Sequence, residues 1–504
     1  MRSAMTLPVG FRAISGFKWA GLSMAANLMF QLGLTAAMAR MLAPATFGLM
    51  AMAMVVLRFF SYFSQMGMGA ALVQKEKLDP QDIRCALGLT WLVCLAVILL
   101  IVATAPLVGW FFHNDQVVPL VRVLSLNLLL LGLGAVPMAL LRRALRFREV
   151  ALVETISYVS GYGLVGVGAA LAGAGIWSLV AATFGQSLIV LIGAYAFTRH
   201  PLRPSLRGDR ARLLDYGTRH SLISFLEFLS ANLDSAIIGR FLGEGALGLY
   251  NRALLLTNLP IERMAGIISR VLFPILSGVQ QDRRKVGNVY LLGISLIGLV
   301  GGAVSAGISA AASDIVRILL GPRWGDSVPV VEILALSVPF MFMSNIAGVV
   351  CDASALLRFK LKVQSLGLGV IAGLMLLLYP LGVTGIAWAI VVGEGLRFAV
   401  YVLFLSRHLR CEPADVAKAL GSVLAVSAAA YAGIHTTIGI TAEHAVPILA
   451  ALAIEIAVGL IVLLAGAYLW TRLMAGSGPE TLARNHIPGW RRLSAALAGN
   501  EKRP

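Results

Sequence analysis

Arginines set inside apolar runs carry the most chemistry in this sequence. Arg58 stands midway along the apolar run 46–73, with Tyr62 and Gln65 four and seven residues on, and so on its helical face. Residues 251–270 hold Asn251, Arg252, Asn258, Glu262, Arg263 and Arg270, and spacings of eleven and seven put the three arginines in one stripe. A charge in hydrocarbon costs roughly 3 kcal/mol on insertion scales, so such residues face a cavity or a partner. Guanidinium groups are planar forks of donors suited to phosphate oxygens. A cationic chamber lined by Arg58, Arg252 and Arg263, with Asn251, Asn258 and Gln65, suits a diphosphate. Asn27 and Gln31 in the first apolar run suit sugar hydroxyls, or equally serve as hydrogen-bonding glue between helices. The other reading of the arginines is snorkelling to the interface, which fits Arg270, or pairing with carboxylates of neighbouring helices.

The acids divide similarly. Glu227 and Asp234, seven residues apart, share a face with Asn232 near them. They suit a Na⁺ or proton coupling site, or salt bridges to the arginine stripe. Glu394 and Arg397 are three apart and are expected to form a neutral internal pair. Glu332 and Glu455 are lone acids to which we assign no role. No His/Cys/Asp spacing suits a metal, and no nucleophile elbow is present. The run from Gly161 to Gly168 lacks the Lys-Ser/Thr of a nucleotide loop and reads as small residues that let helices approach. Cys85, Cys94, Cys351 and Cys411 show neither a disulfide framework nor a zinc pattern. No cofactor is expected.

These residues need a scaffold. Of 504 residues, 59% are hydrophobic and 13% charged, about half the ~25% charge of a soluble chain. That excludes an ordinary soluble enzyme, and disorder as well. About 20 apolar residues cross a bilayer, and spans are expected at 17–41, 46–73, 85–112, 117–141, 149–172, 175–198, 214–241, 245–277, 286–312, 327–352, 361–381, 384–406, 415–439 and 446–471. The first run is expected to be a span and not a cleavable signal. With both termini inside, the inner segments hold nearly all the basic residues between spans, and the outer ones only Arg40, Arg240, Arg317 and Arg323. The net charge of +17 therefore reads as topology and not as nucleic-acid binding. The longest outer segment, about Ser313 to Ser327, reads as a short loop.

The chain also repeats itself. Arg40 to Leu49 matches Arg240 to Leu249, with Gly48 against Gly248. Leu145-Arg-Phe-Arg148 matches Leu357-Arg-Phe-Lys360, and Gly175, Ile176 and Gly185 match Gly385, Ile386 and Gly395. Three matches in order imply a duplication, which pairs Arg58 with Asn258. The expected fold is an all-α polytopic membrane protein of about fourteen spans. Two parallel six-helix pseudo-repeats, 1–200 and 201–410, are related by an axis along the membrane normal. Two further helices (411–471) and a basic cytoplasmic tail (472–504) follow.

Six plus six plus two helices resemble the polysaccharide transporter family, the Wzx-type lipid-linked oligosaccharide flippases of the multidrug/oligosaccharidyl-lipid/polysaccharide exporter superfamily. The stretches Phe17-Lys-Trp19, Ala43-Pro44-Ala-Thr-Phe47-Gly48-Leu49, Gly245 to Ala253, Phe273-Pro274 and Gly321-Pro-Arg-Trp324 carry the resemblance. It implies export of an undecaprenyl-pyrophosphate-linked repeat for O-antigen, capsule or exopolysaccharide, from the inner to the outer leaflet of a bacterial inner membrane. It also implies membrane lipids, a polysaccharide polymerase and other assembly proteins as partners. A multidrug exporter of the same superfamily is the alternative, though it would want an acidic cavity. An integral-membrane polymerase or glycosyltransferase would want a larger aqueous loop.

Overall fold

The computed structural model describes residues 29–65, 72, 75, 78–201, 203–205, 228–229, 231–258, 276 and 282–473. Among them are helices and turns and no strand. The helices are α1 (Pro44–Gln65), α2 (Pro80–Phe112), α3 (Val117–Ser125), α4 (Asn127–Arg143), α5 (Phe147–Tyr158), α6 (Ile176–Thr198) and α7 (Arg283–Ala310). They continue as α8 (Ala312–Leu319), α9 (Val328–Ala335), α10 (Val338–Ala353), α11 (Leu357–Leu378), α12 (Gly382–His408), α13 (Pro413–Glu443) and α14 (Ile448–Leu473). Residues 29–41 and most of 231–258 are helical as well. These labels are not the predicted spans one for one, since α3 with α4, and α9 with α10, each fill a single span.

Ten stretches among the described residues are long and apolar enough to cross a bilayer, so the chain is an all-helical, multi-pass membrane protein. One of them, Leu357–His408, holds both α11 and α12, which pack on each other. The expected fourteen rests partly on segments outside the described residues. The predicted loop 313–327 is instead helical: α8, then a 3₁₀ turn at Pro322–Ser327. Ala312, Val316 and Leu320 are buried there while Ser313 and Arg317 are exposed. That four-residue period is a helix signal in a segment too short and polar to register as a span.

The chain divides into two compact units, Met1–Gly248 with Leu319–Arg323, and Leu249–Ile318 with Trp324–Pro504. In the first, α6 packs against α4 and α5. After Tyr158, α5 runs on through a π-helical stretch, Val159–Gly166, and a last α turn, Val167–Leu171. A Cβ on Gly161 would lie 2.6 Å from Gln186 N, and one on Gly166 2.9 Å from Ala182 Cβ. The glycine run therefore lets α6 approach, as its composition suggests.

In the second unit α7 is central, packed by α10, α13 and α14. Asp282 caps its start, Oδ1 accepting from the amides of Arg284 (3.0 Å) and Lys285 (3.2 Å). Tyr290, Phe342, Ile346 and Leu405 are fully buried around it. Burial, with the Asp415 carboxylate next, pushes the Cys411 thiol up to about 11, so it is neutral. All four cysteines are unbridged.

Left-handed turns recur down the chain. His113 and Gly321 have φ of 52° and 97°, and Leu145 and Ala355 have φ of 55° and 56°. Leu145 and Ala355 occupy the same place, just before α5 and α11. The turns thus correspond at an offset of 210, whereas the Leu-Arg-Phe match sits at 212. The sequence match is slid two residues along the helix start relative to the backbone.

Candidate functional site

Arg58 lies on α1 with apolar residues before and after it. Its guanidinium turns toward the 231–241 helix, Nη1 donating to Asn232 Oδ1 at 3.5 Å. Asn232 is buried and its amide donates to Phe228 O at 3.0 Å, which fixes the orientation of the oxygen that Arg58 meets. Phe59 and Phe228 close edge-to-face beside this pair, with centroids 5.5 Å apart. Arg58 itself is exposed, and the partner it meets among the described residues is a neutral amide and not a carboxylate.

Ahead of Asn232's helix end lies a second polar cluster, built on the repeated turns. Arg240 Nη1 donates to the carbonyls of Trp110 (3.0 Å) and Phe111 (2.6 Å), the last turn of α2. It also lies 2.8 Å from His113 Nδ1, with its guanidinium 5.5 Å from the Trp110 ring centre. A cation suits the negative end of a helix. Glu244 Oε2 accepts from Asn114 Nδ2 at 3.0 Å. The repeat mate of Arg240, Arg40, lies against Gly321, its Cγ 3.4 Å from where a Cβ would sit. Each arginine of the repeat therefore meets a left-handed turn of the other repeat. Between them two helix starts cross: a Cβ on Gly48 in α1 would fall 1.7 Å from Glu244 O, and one on Gly248 1.9 Å from Pro44 O.

Of the other residues singled out from sequence, Gln31, Asp234, Asn251, Arg252 and Asn258 are half-buried. Asp234 Oδ1 accepts from Ser235 N at 2.6 Å. Arg252 Nε is shielded from solvent, and the buried amide nitrogen of Asn251 has no hydrogen-bond partner among the described residues. Asn27, Glu227 and Arg263, with Glu262, Arg270 and the Pro260 kink, lie outside the described residues, as does the side chain of Gln65. The structure thus joins Arg58 to Asn232 and leaves the arginine stripe undescribed beyond Arg252.

Glu394 and Arg397 pair within α12, as their spacing predicts. Glu455, which the sequence left without a role, is 1% exposed, and among the described residues no nitrogen donor meets its carboxyl oxygens. Its neighbour is another acid, Asp314 of α8. The Asp314–Glu455 and Arg240–α2 relationships had no local signal. Each joins residues more than a hundred positions apart, and the repeat of Arg40 with Arg240 was the one hint of the second. No group of His, Cys, Asp and Glu among the described residues suits a metal.

The model of a family described as polysaccharide biosynthesis protein matches residues 37–329. The lipopolysaccharide biosynthesis protein WzxC of Escherichia coli (strain K12) is 26% identical over 361 residues, covering 70% of this chain and 72% of its own. The succinoglycan biosynthesis transport protein ExoT of Rhizobium meliloti (strain 1021) is 28% identical over 303 residues, covering 60% and 61%. Among solved structures, the lipid II flippase MurJ in an inward closed conformation superposes with a TM-score of 0.70 at 14% identity, over 92% of this chain and all of that one. An inward-facing multidrug resistance MATE family transporter gives 0.58 at 16% identity, over 76% and 94%.

Proposed function

The chain belongs to the polysaccharide biosynthesis protein family, and from that premise we propose that it is a flippase for an undecaprenyl-pyrophosphate-linked oligosaccharide. It moves the headgroup from the inner to the outer leaflet of a bacterial inner membrane, with both termini in the cytoplasm. It is a carrier and not an enzyme. The observation that carries the reading is Arg58: an exposed guanidinium in an apolar helix whose hydrogen-bond partner among the described residues is a neutral amide. Transporters of cationic drugs want the opposite sign in that place, which disfavours the multidrug alternative.

In this mechanism the repeats rock about a central chamber. Arg58, Arg252 and Arg263 receive the diphosphate, and Asn251, Asn258, Gln65, Asn27 and Gln31 receive neighbouring oxygens. The prenyl tail stays in lipid. A diphosphate diester carries about two negative charges. Outward movement from a negative interior then releases roughly 4–5 kcal/mol per 100 mV, provided the protein returns no compensating charge. Asp234 and Glu227 supply a place for Na⁺ or H⁺ to couple the return. In this orientation the 40–48 and 240–248 turns lie on the outer side. Release outward then requires the Arg240 and Glu244 contacts to part.

The test is flipping of a lipid-linked repeat in liposomes under a clamped potential, with and without Na⁺ and H⁺ gradients. Potential-dependent exposure of the headgroup is expected. Equal exposure in protein-free vesicles, or transport of organic cations instead, would overturn the reading.

A further inference from the structure

Three arginines converge on a cleft of about 700 Å³ in the second unit: Arg283 from the first residue of α7, Arg407 from the last turn of α12, and Arg410 from the turn just after it. All three are exposed. Among the described residues none forms an ion pair with a carboxylate, the nearby Asp282 being engaged by backbone amides and Lys285. One wall is a stack of rings. Phe404 lies 3.7 Å from Phe359, nearly parallel to it, and 5.6 Å from His408 at 9°. The other wall is aliphatic and outward-facing, Val400 being 46% and Leu403 58% exposed.

That aliphatic surface does not stop at the cleft. Trp388, Val392, Leu396, Val400 and Leu403 follow one another up α12 at three- and four-residue spacing, all exposed. Nineteen residues separate Trp388 from Arg407, about 28 Å of helix, close to the thickness of a bilayer core. Arginines placed only by topology would point separately into water. Here they come from two helices to the head of one apolar stripe.

We propose that this cleft holds an anionic glycerophospholipid of the surrounding membrane, its phosphate between Arg283, Arg407 and Arg410 and its acyl chains along the α12 stripe. The ring stack forms the floor against which the glycerol region rests. The site is separate from the residues assigned to the transported headgroup and requires only that α12 spans the bilayer.

The test uses the full chain purified in detergent, incubated with phosphatidylglycerol, phosphatidylcholine or inorganic phosphate, with bound lipid counted by native mass spectrometry. At about fivefold per arginine near a membrane surface, phosphatidylglycerol is expected to be retained at least tenfold over phosphatidylcholine. Arg283→Gln/Arg407→Gln/Arg410→Gln should bring it to the phosphatidylcholine level. Leu403→Asp, which leaves every arginine in place, should also release it. Since these residues are on the surface, an unchanged thermal midpoint without lipid verifies folding. Equal retention of the two lipids, or undiminished binding by either variant, overturns the proposal. So does full displacement by inorganic phosphate, which would show an ion site with no lipid. Preferential displacement by a prenyl diphosphate would instead give the cleft to the transported lipid. Transport plays no part in this readout, so failure here and failure of the flippase reading are told apart.

Discussion

Gly48 and Gly248, equivalent positions of the repeat, each lie where any side chain would strike the backbone of the other's helix start. The obstruction is a carbonyl and not a movable side chain, so the helix starts must separate to admit one. Gly248→Ala is expected to destabilise by about 1–3 kcal/mol, read as a lower thermal midpoint in detergent. Gly245→Ala, where a Cβ meets nothing within 4 Å, should be neutral or stabilising by up to about 1 kcal/mol. Equal behaviour of the two variants would refute the close crossing.

Arg58 is expected to act through its charge. Arg58→Gln should cut headgroup flipping about tenfold or more, since a charge-assisted contact is worth about 1.5–3 kcal/mol, while Arg58→Lys restores part of it. Asn232→Leu removes the amide that orients the guanidinium and should weaken apparent substrate affinity. If Arg58→Gln transports normally, the cationic chamber is wrong.

The Glu394–Arg397 pair is expected to be structural. Glu394 is buried while the Arg397 side chain is about a quarter exposed. Losing one partner of a buried pair costs up to about 3–5 kcal/mol, whereas replacing both by apolar residues is near neutral. Glu394→Leu should therefore lower the midpoint far more than Glu394→Leu/Arg397→Met. Comparable losses would indicate a role beyond mutual neutralisation.

Glu455 faces another acid, Asp314, and among the described residues no nitrogen donor meets its oxygens. Glu455→Gln supplies an amide N–H to the acid and is expected to stabilise by about 1 kcal/mol. A lower midpoint would show that the native acid pair is held by something the amide displaces.

His200 gives a pH dependence. Burial pushes its imidazole below the ordinary histidine value, beside Thr198 Oγ1 at 2.9 Å and the Tyr195 ring. The native state then binds fewer protons than the unfolded chain. Stability is complete above the unfolded value of about 6.5 and declines as pH falls below it. His200→Gln should flatten the midpoint as pH falls below about 6.5, and an unaltered slope would assign the decline elsewhere.

What the sequence shows and hides follows from range. Span positions come from composition over about 20 residues, and the Glu394–Arg397 pair from a spacing of three on one helix. The glycines at 161–168 were recognisable because a stripe of small residues has one common use. Arg240 was hidden, because the carbonyls it caps belong to a helix ending 128 residues earlier, and carbonyls are not written in residue types. The Leu-Arg-Phe match misplaced its turn by two residues, since short helical motifs align by composition while Leu145 and Ala355 mark the backbone. The pairing of Arg58 with Asn232 needed coordinates to choose among several polar groups.

The wide winding from Val159 to Gly166 has an evolutionary corollary. Where hydrogen bonds reach one residue farther than in an α-helix, the chain stores a spare residue. Deleting one there would let the segment tighten into ordinary α geometry without severing it. Length changes in this region can therefore be absorbed locally, before the displacement reaches α6.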